Sequence, residues 1–392
     1  MPQPKITPFK VDVAQTTLDR ILSRVKDATW PSAPAHSAKG ASAPWGYGTN
    51  LDYMKELAAY WADGFDWRKA EAALNAHPQF KAPVTVGTET LELHFYHVKS
   101  ARLDATPIIL SHGWPGSVFE FLQLIEPLSN PPADQPAFHV VVPSLPGYGF
   151  SQCPANPISP RHMGAYFSSL MVDVLGYGSF MAQGGDWGGP ISAAMALDCD
   201  ACTALHINIH GWWTPGVGPE MEEEQAHAAA GQAMQLMEGS YFTMQMAKPV
   251  SLGLALEDSP IGWASWVIEK FNTWSHTDGN DIESAYSKDQ MLTNIMLYLV
   301  TNTVGTSLWP YRGVFEDGFG EPIAPGTQVT IPTAIANLPH EIPMYAFPPR
   351  TQVERSYCNI VQWTDFDAGG HFAALEQPEA FVEDLREFAA KL

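Results

Sequence analysis

The chain has 392 residues, 45% hydrophobic and 16% charged, which is enough apolar material for a sizeable core and excludes general disorder. Lys and Arg number 21 against 42 Asp and Glu; a formal net charge of −21 would repel phosphate backbones and anionic lipid, which argues against nucleic-acid and membrane-surface roles. Four cysteines make no disulfide framework and fit a reducing compartment, so a cytoplasmic protein is expected.

At roughly 150 residues per domain, the length predicts two to three domains, or one large domain with an insertion. Met1 to Trp30 contains no uninterrupted apolar stretch of the kind found in export signals. Residues 1–100 form a leader rich in Trp, Tyr and Pro, expected to wrap the core. Within it, Leu18 to Thr29 and Leu51 to Trp61 repeat apolar residues at helical spacing, and Pro31 to Pro44 reads as a loop. Val84 to Val98 reads as strands, with Leu91, Leu93 and Phe95 alternating.

Residues 101–210 change to strand, turn, helix. Pro107 to Leu110 is an apolar strand running into His112-Gly113-Trp114-Pro115-Gly116. His139 to Val142 is a second, ending in Gly147-Tyr148-Gly149, with a helix around Met163 to Leu175. Phe180 to Gln183 runs into Gly184-Gly185-Asp186-Trp187-Gly188-Gly189; a helix over about Pro190 to Leu197 and a strand over Ala204 to Ile209 follow. Such alternation predicts a parallel sheet covered on both faces, with ligands at the carboxyl ends of the strands.

Residues 211–325 lack strand signals and read as a helical lid. Their long uncharged run, Gln290 to Tyr311, approaches the ~20 residues of a membrane span. Asn294, Thr301, Asn302, Thr303 and Ser307 are too polar for lipid, so a buried helix and no membrane anchor are expected. Residues 326–392 return to the core, with strands at Val329 to Ala336 and Asn359 to Thr364 and a closing amphipathic helix from Gln377 to Leu392.

Gly184-Gly185-Asp186-Trp187-Gly188 has the G-x-nucleophile-x-G spacing of a sharp strand-to-helix turn, with Asp where hydrolases usually carry Ser. A carboxylate is ionised at neutral pH, its pKa being about 3.9. It can displace a leaving group at a saturated carbon and form an alkyl ester, which activated water then cleaves at the carbonyl. A serine would end as an ether, closed to that route. Asp186 therefore points to epoxides or alkyl halides. Water needs a base, and His371 lies in the loop after the last strand, behind Gly369-Gly370. The acid that orients it should follow the preceding strand, which selects Glu341, with Glu354, Asp365 and Asp367 as competitors. Ester hydrolysis passes through an oxyanion, for which the backbone N–H groups of Trp187 and Trp114 are the expected donors. Cys199 and Cys202 have C-x-x-C spacing without a second pair, and are not read as a redox or zinc site.

His112-Gly113-Trp114-Pro115, Gly185-Asp186-Trp187-Gly188 and Gly369-Gly370-His371-Phe372-Ala373-Ala374 resemble the α/β-hydrolase-fold epoxide hydrolases, most closely the microsomal and juvenile-hormone type. The resemblance spans nearly the whole chain. Trp45-Gly46-Tyr47-Gly48 and Phe65-Asp66-Trp67-Arg68 in the leader resemble that type's N-terminal extension. It implies an α/β-hydrolase fold with a mainly parallel sheet, a helical lid insertion and an N-terminal extension. It further implies that two lid tyrosines hold the epoxide oxygen, matched here by Tyr241 in Gly239-Ser240-Tyr241 and Tyr311 in Trp309-Pro310-Tyr311-Arg312. The acid of the family follows a Phe-Pro run; here Leu338-Pro339 precedes His340-Glu341, so Leu replaces Phe. No cofactor or metal is expected. The partners are an epoxide and water, and the fold allows a homodimer. The rivals are a haloalkane dehalogenase, sharing the Asp nucleophile, and a non-catalytic binder of lipophilic ligands. Trp and Met in the lid (Trp212, Trp213, Trp263, Trp266, Met234, Met237) suggest a bulky apolar substrate.

Overall fold

Apolar residues alternating with period two dictate strands, and here both alternating sets are apolar because both faces of the sheet are covered. The computed structural model describes residues 5–32, 45–209, 218–317 and 327–392. Most of the loop read at Pro31 to Pro44, and Trp212 and Trp213, lie outside them. The strands are β1 (Thr7–Phe9), β2 (Gln79–Val86), β3 (Glu89–Val98), β4 (Thr106–Ser111), β5 (Phe138–Pro143), β6 (Phe180–Gly184), β7 (Cys202–Ile207), β8 (Thr333–Asn337) and β9 (Ile360–Asp365). They form one sheet in the order β1-β2-β3-β5-β4-β6-β7-β8-β9. From β5 to β9 neighbours are parallel; β1, β2, β3 and β5 pair antiparallel.

Ile108, Leu110, Val140, Val142 and Met181 face one side, against Leu124, Ile125 and Leu128 of the helix Leu122–Ser129 and Phe381, Leu385 and Phe388 of the helix Pro378–Ala389. The residues between them, Ile109, Val141 and Ala182, face the other side, with Met163 and Phe167 of the helix Pro160–Ser169 and Ile191 and Met195 of the helix Gly188–Asp198. That is the pleat of strands buried on both faces. β8 begins at Thr333, later than the expected strand, since Pro332 has no N–H to pair.

The leader does two things. Its strands β1 to β3 are the antiparallel edge of the central sheet. Its helices Gln15–Lys26 and Leu51–Asp63 brace the lid: Tyr60 Oη donates to Asp289 at 2.7 Å, Lys288 Nζ donates to Glu56 at 2.8 Å, and Arg24 pairs with Asp258.

Described residues 218–317 are helical and contain no strand, with helices Glu222–Gln235, Ser240–Ala247, Pro249–Asp258, Pro260–Thr273, Lys288–Thr301 and Trp309–Glu316. The uncharged run expected to be one buried helix is two. The helix Lys288–Thr301 starts at a Ser287–Gln290 capping box and ends where Asn302 takes a left-handed φ of 52°. The chain then turns and restarts at Trp309 with Pro310 in the first turn. No described helix is long and apolar enough to cross a membrane.

Candidate active site

β6 stops at Gly184 and the next helix starts at Gly188, so the intervening turn must reverse the chain within three residues. Asp186 sits in that turn at φ 46°, a left-handed value that few non-glycine residues adopt. A Cβ on Gly188 would lie 1.8 Å from Ser111 O, so the helix start can press against the end of β4 only as glycine. A Cβ on Gly113 would lie 2.1 Å from Asp186 Oδ1, so the carboxylate occupies the space that glycine leaves. Two backbone donors then converge on one oxygen: Trp114 N and Trp187 N each donate to Asp186 Oδ1 at 2.7 Å. The helix N-terminus just beyond adds positive potential.

The other oxygen, Oδ2, faces His371 Nε2 at 3.0 Å. On the far side of the ring, Nδ1 meets Glu341 Oε2 at 2.8 Å and Oε1 at 3.1 Å. His371 and Glu341 are buried, and they come from the loops after β9 and β8. The competing carboxylates are elsewhere: Asp365 is exposed and accepts from Asn337 and Trp363, Asp367 is exposed, and Glu354 pairs with Arg350. Burial alone would lower the His371 pKa, but Glu341 and then Asp186 outweigh it and raise the pKa well above its ordinary value.

Tyr241 lies on the helix Ser240–Ala247 and Tyr311 on the helix Trp309–Glu316. Tyr241 stacks on the Trp114 ring at 5.2 Å and Tyr311 packs edge-on against Trp187 at 4.8 Å, so both phenols cover the two peptide units that hold Asp186. Their ring centres are 5.9 Å apart. Burial, then the Tyr345 and Tyr311 hydroxyls and Asp186, push Tyr241 well above the usual phenol range. Burial and Asp186 do the same to Tyr311. Both hydroxyls therefore stay protonated and can donate.

Three residues were not singled out in the sequence. Glu120, behind Asp186, closes a Ser117-x-x-Glu120 capping box by accepting from Ser117 N at 3.0 Å; burial, then the Asp186 charge, push its carboxyl up to about 8. With Ser111, Asn208, Asp186 and His371 it lines a cavity of about 10 Å³, roughly the room of one water. Glu376 accepts from Gly370 N at 2.9 Å and Phe372 N at 3.0 Å, fastening the peptide groups that flank His371. Tyr345 meets the Tyr241 hydroxyl. The capping box is legible in sequence; the other two have no motif.

Of the lid residues expected to shape the substrate pocket, Trp263 is buried against Trp114 and Tyr298, and Trp266 Nε1 donates to Gln245 at 2.9 Å. Met234 is half-buried, and Met237 is 73% exposed and faces solvent instead.

Comparison with known proteins gives two matching family models: an epoxide hydrolase N terminus over residues 6–121 and an alpha/beta hydrolase fold over residues 106–236. A protein of Stigmatella aurantiaca assigned as an epoxide hydrolase is 37% identical, with 97% of this chain and 84% of that protein covered. Epoxide hydrolase 1 of Sus scrofa is 32% identical, with 99% and 89% covered. The juvenile hormone epoxide hydrolase crystal structure from Bombyx mori is similar at a TM-score of 0.83 and 30% identity, covering 99% of this chain and 94% of that one.

Proposed function

The chain belongs to the epoxide hydrolases of the α/β-hydrolase fold, and we propose that it hydrates its epoxide in two steps through an ester on Asp186. The observation that carries this is the split of the carboxylate: Oδ1 receives both backbone N–H groups while Oδ2 faces His371. Oδ2 attacks an epoxide carbon while Tyr241 and Tyr311 donate to the epoxide oxygen. The C–O bond breaks, one phenol gives its proton to the alkoxide, and Oδ1 becomes the ester carbonyl oxygen, already in place.

Esterification removes the Asp186 charge, one of the two that raise the His371 pKa. The imidazole, still oriented by Glu341, then takes a proton from water. The hydroxide adds to Asp186 Cγ, and the oxyanion on Oδ1 is met by Trp114 and Trp187 N–H. Collapse expels the diol oxygen, which takes the proton from His371. The water's second proton, left on the new carboxyl group, restores the phenol. The cavity shared by Asp186, His371 and Glu120 supports a place for that water.

In this reading residues 211–325 are the lid that carries both phenols, and residues 1–100 brace it. Residues 101–210 carry Asp186, and residues 326–392 carry Glu341 and His371. The enzyme works in the cytoplasm on a small epoxide and water, without a cofactor, and a homodimer fits the reading.

Glu341→Gln should slow ester hydrolysis by about 10²-fold, less than loss of His371 itself, since Glu341 acts only through the imidazole. Pre-steady-state kinetics would show the loss in the second step alone. Normal turnover in Glu341→Gln, with loss on changing Asp365 or Asp367, would contradict the assignment. A halide leaves without a proton and is better met by N–H donors than by phenols, which disfavours a dehalogenase. A panel of styrene oxide, a linear 1,2-epoxyalkane and limonene oxide should give diols, and 1-bromoalkanes should release no halide. Halide release without diol formation would reverse this reading; no turnover of any kind would favour a binding protein.

A further inference from the structure

Tyr345 stands four residues after Glu341, in the loop that β8 feeds, where its N–H donates to Ile342 O at 2.8 Å. Its ring is buried against Trp274 at 5.8 Å and His371 at 5.7 Å. Its hydroxyl lies 2.6 Å from the Tyr241 hydroxyl and has no other hydrogen-bond partner among the described residues. Two hydroxyls in one hydrogen bond place one of their two protons between them. If that proton belonged to Tyr241, Tyr241 would have none to offer a substrate. If it belongs to Tyr345, the Tyr241 proton is left for the other side of the hydroxyl, which faces Tyr311.

We propose that Tyr345 is a positioning residue that donates into the Tyr241 oxygen, freeing the Tyr241 proton for the epoxide and making Tyr241, not Tyr311, the phenol that gives its proton up. The inference rests on the two-phenol reading above. On ring opening the Tyr241 O–H bond breaks and the alkoxide O–H bond forms. The phenolate left behind is buried, where an unpaired charge is costly. The Tyr345 O–H turns from a neutral hydrogen bond into a charge-assisted one at that moment, so it stabilises the transition state more than the ground state. Tyr311, packed edge-on against Trp187 and Trp114, meets the Tyr241 hydroxyl but, among the described residues, no further phenol stands hydrogen-bonded behind it.

Tyr345→Phe keeps the ring that packs on Trp274 and His371 and removes only the hydroxyl. With the fastest epoxide of the panel, alkylation is read in single turnovers from tryptophan fluorescence, since Trp114 and Trp187 adjoin Asp186. It should slow about 10- to 100-fold, with the ester hydrolysis rate unchanged. In a Tyr241→Phe background the same change should cost less than about twofold; in a Tyr311→Phe background it should cost its full amount. Equal losses in both backgrounds, a loss confined to hydrolysis, or no loss at all would overturn the proposal while leaving the two-phenol reading intact. A Tyr241→Phe enzyme with normal alkylation would overturn both.

Discussion

His371→Gln is expected to stop the enzyme after one chemical step, loaded with its own substrate. In the proposed route Asp186 attacks carbon directly and the epoxide oxygen takes its proton from a phenol, so alkylation does not need the imidazole. Hydrolysis does: water must lose a proton as it reaches Asp186 Cγ, and His371 Nε2, 3.0 Å from Oδ2, is the proposed base beside it. Loss of a positioned base typically costs 10²–10⁴-fold, so steady-state turnover should fall by about that factor while the first equivalent of epoxide is still consumed. Gln can still donate to one of the two carboxylates that His371 bridges, which limits the cost of leaving them facing each other. Intact-protein mass spectrometry should show one added substrate mass, located on the peptide containing Asp186. An inactive, correctly folded variant that never acquires the mass would show that His371 is needed before the ester forms.

Tyr241→Phe and Tyr311→Phe together are expected to nearly abolish ring opening. An epoxide opens to an alkoxide far more basic than a phenolate, so each phenol stabilises charge that exists only as the C–O bond breaks. Removing one such donor costs ~10²–10³-fold, and with both gone the developing charge in a buried site loses both of its proposed donors. Phe retains the rings that pack on Trp114 and Trp187, so the peptide units holding Oδ1 keep their support. Alkylation rates in single turnovers would measure this directly. Near-normal rates in the double variant would remove the phenols from the mechanism and restore the dehalogenase alternative.

The cluster of Asp186, His371 and Glu341 is legible in sequence because each residue sits at a fixed place relative to a strand. Asp186 is marked by a glycine spacing that only a sharp turn requires, and His371 and Glu341 by the loops after the last two strands. Leu338 in place of the family's Phe leaves Glu341 at the right offset, 2.8 Å from the imidazole. The phenols are different. Nothing in spacing separates Tyr241 and Tyr311 from the other tyrosines, and only resemblance to a family singles them out. Tyr345 has neither signal, because its role comes from a contact with a residue 104 positions away. The same limit applies to the fold. β3 and the end of β2 from Val84 read as strands from their alternation, but the first part of β2 lies outside that reading, and the place of both at the edge of the central sheet depends on non-local pairing of β3 with β5. The break at Asn302 was legible in principle, since Asn is among the few residues that enter the left-handed region readily.

A single turnover in heavy-oxygen water, with enzyme in excess over epoxide, tests the covalent route most directly. If Asp186 Oδ2 attacks carbon, the oxygen added to the substrate comes from the carboxylate, and the water's oxygen enters Asp186 when the ester is cleaved. The first diol should be unlabelled, and the label should appear in the peptide containing Asp186. Label in the first diol, with none in that peptide, would mean that activated water attacks the epoxide itself and that Asp186 is not the nucleophile.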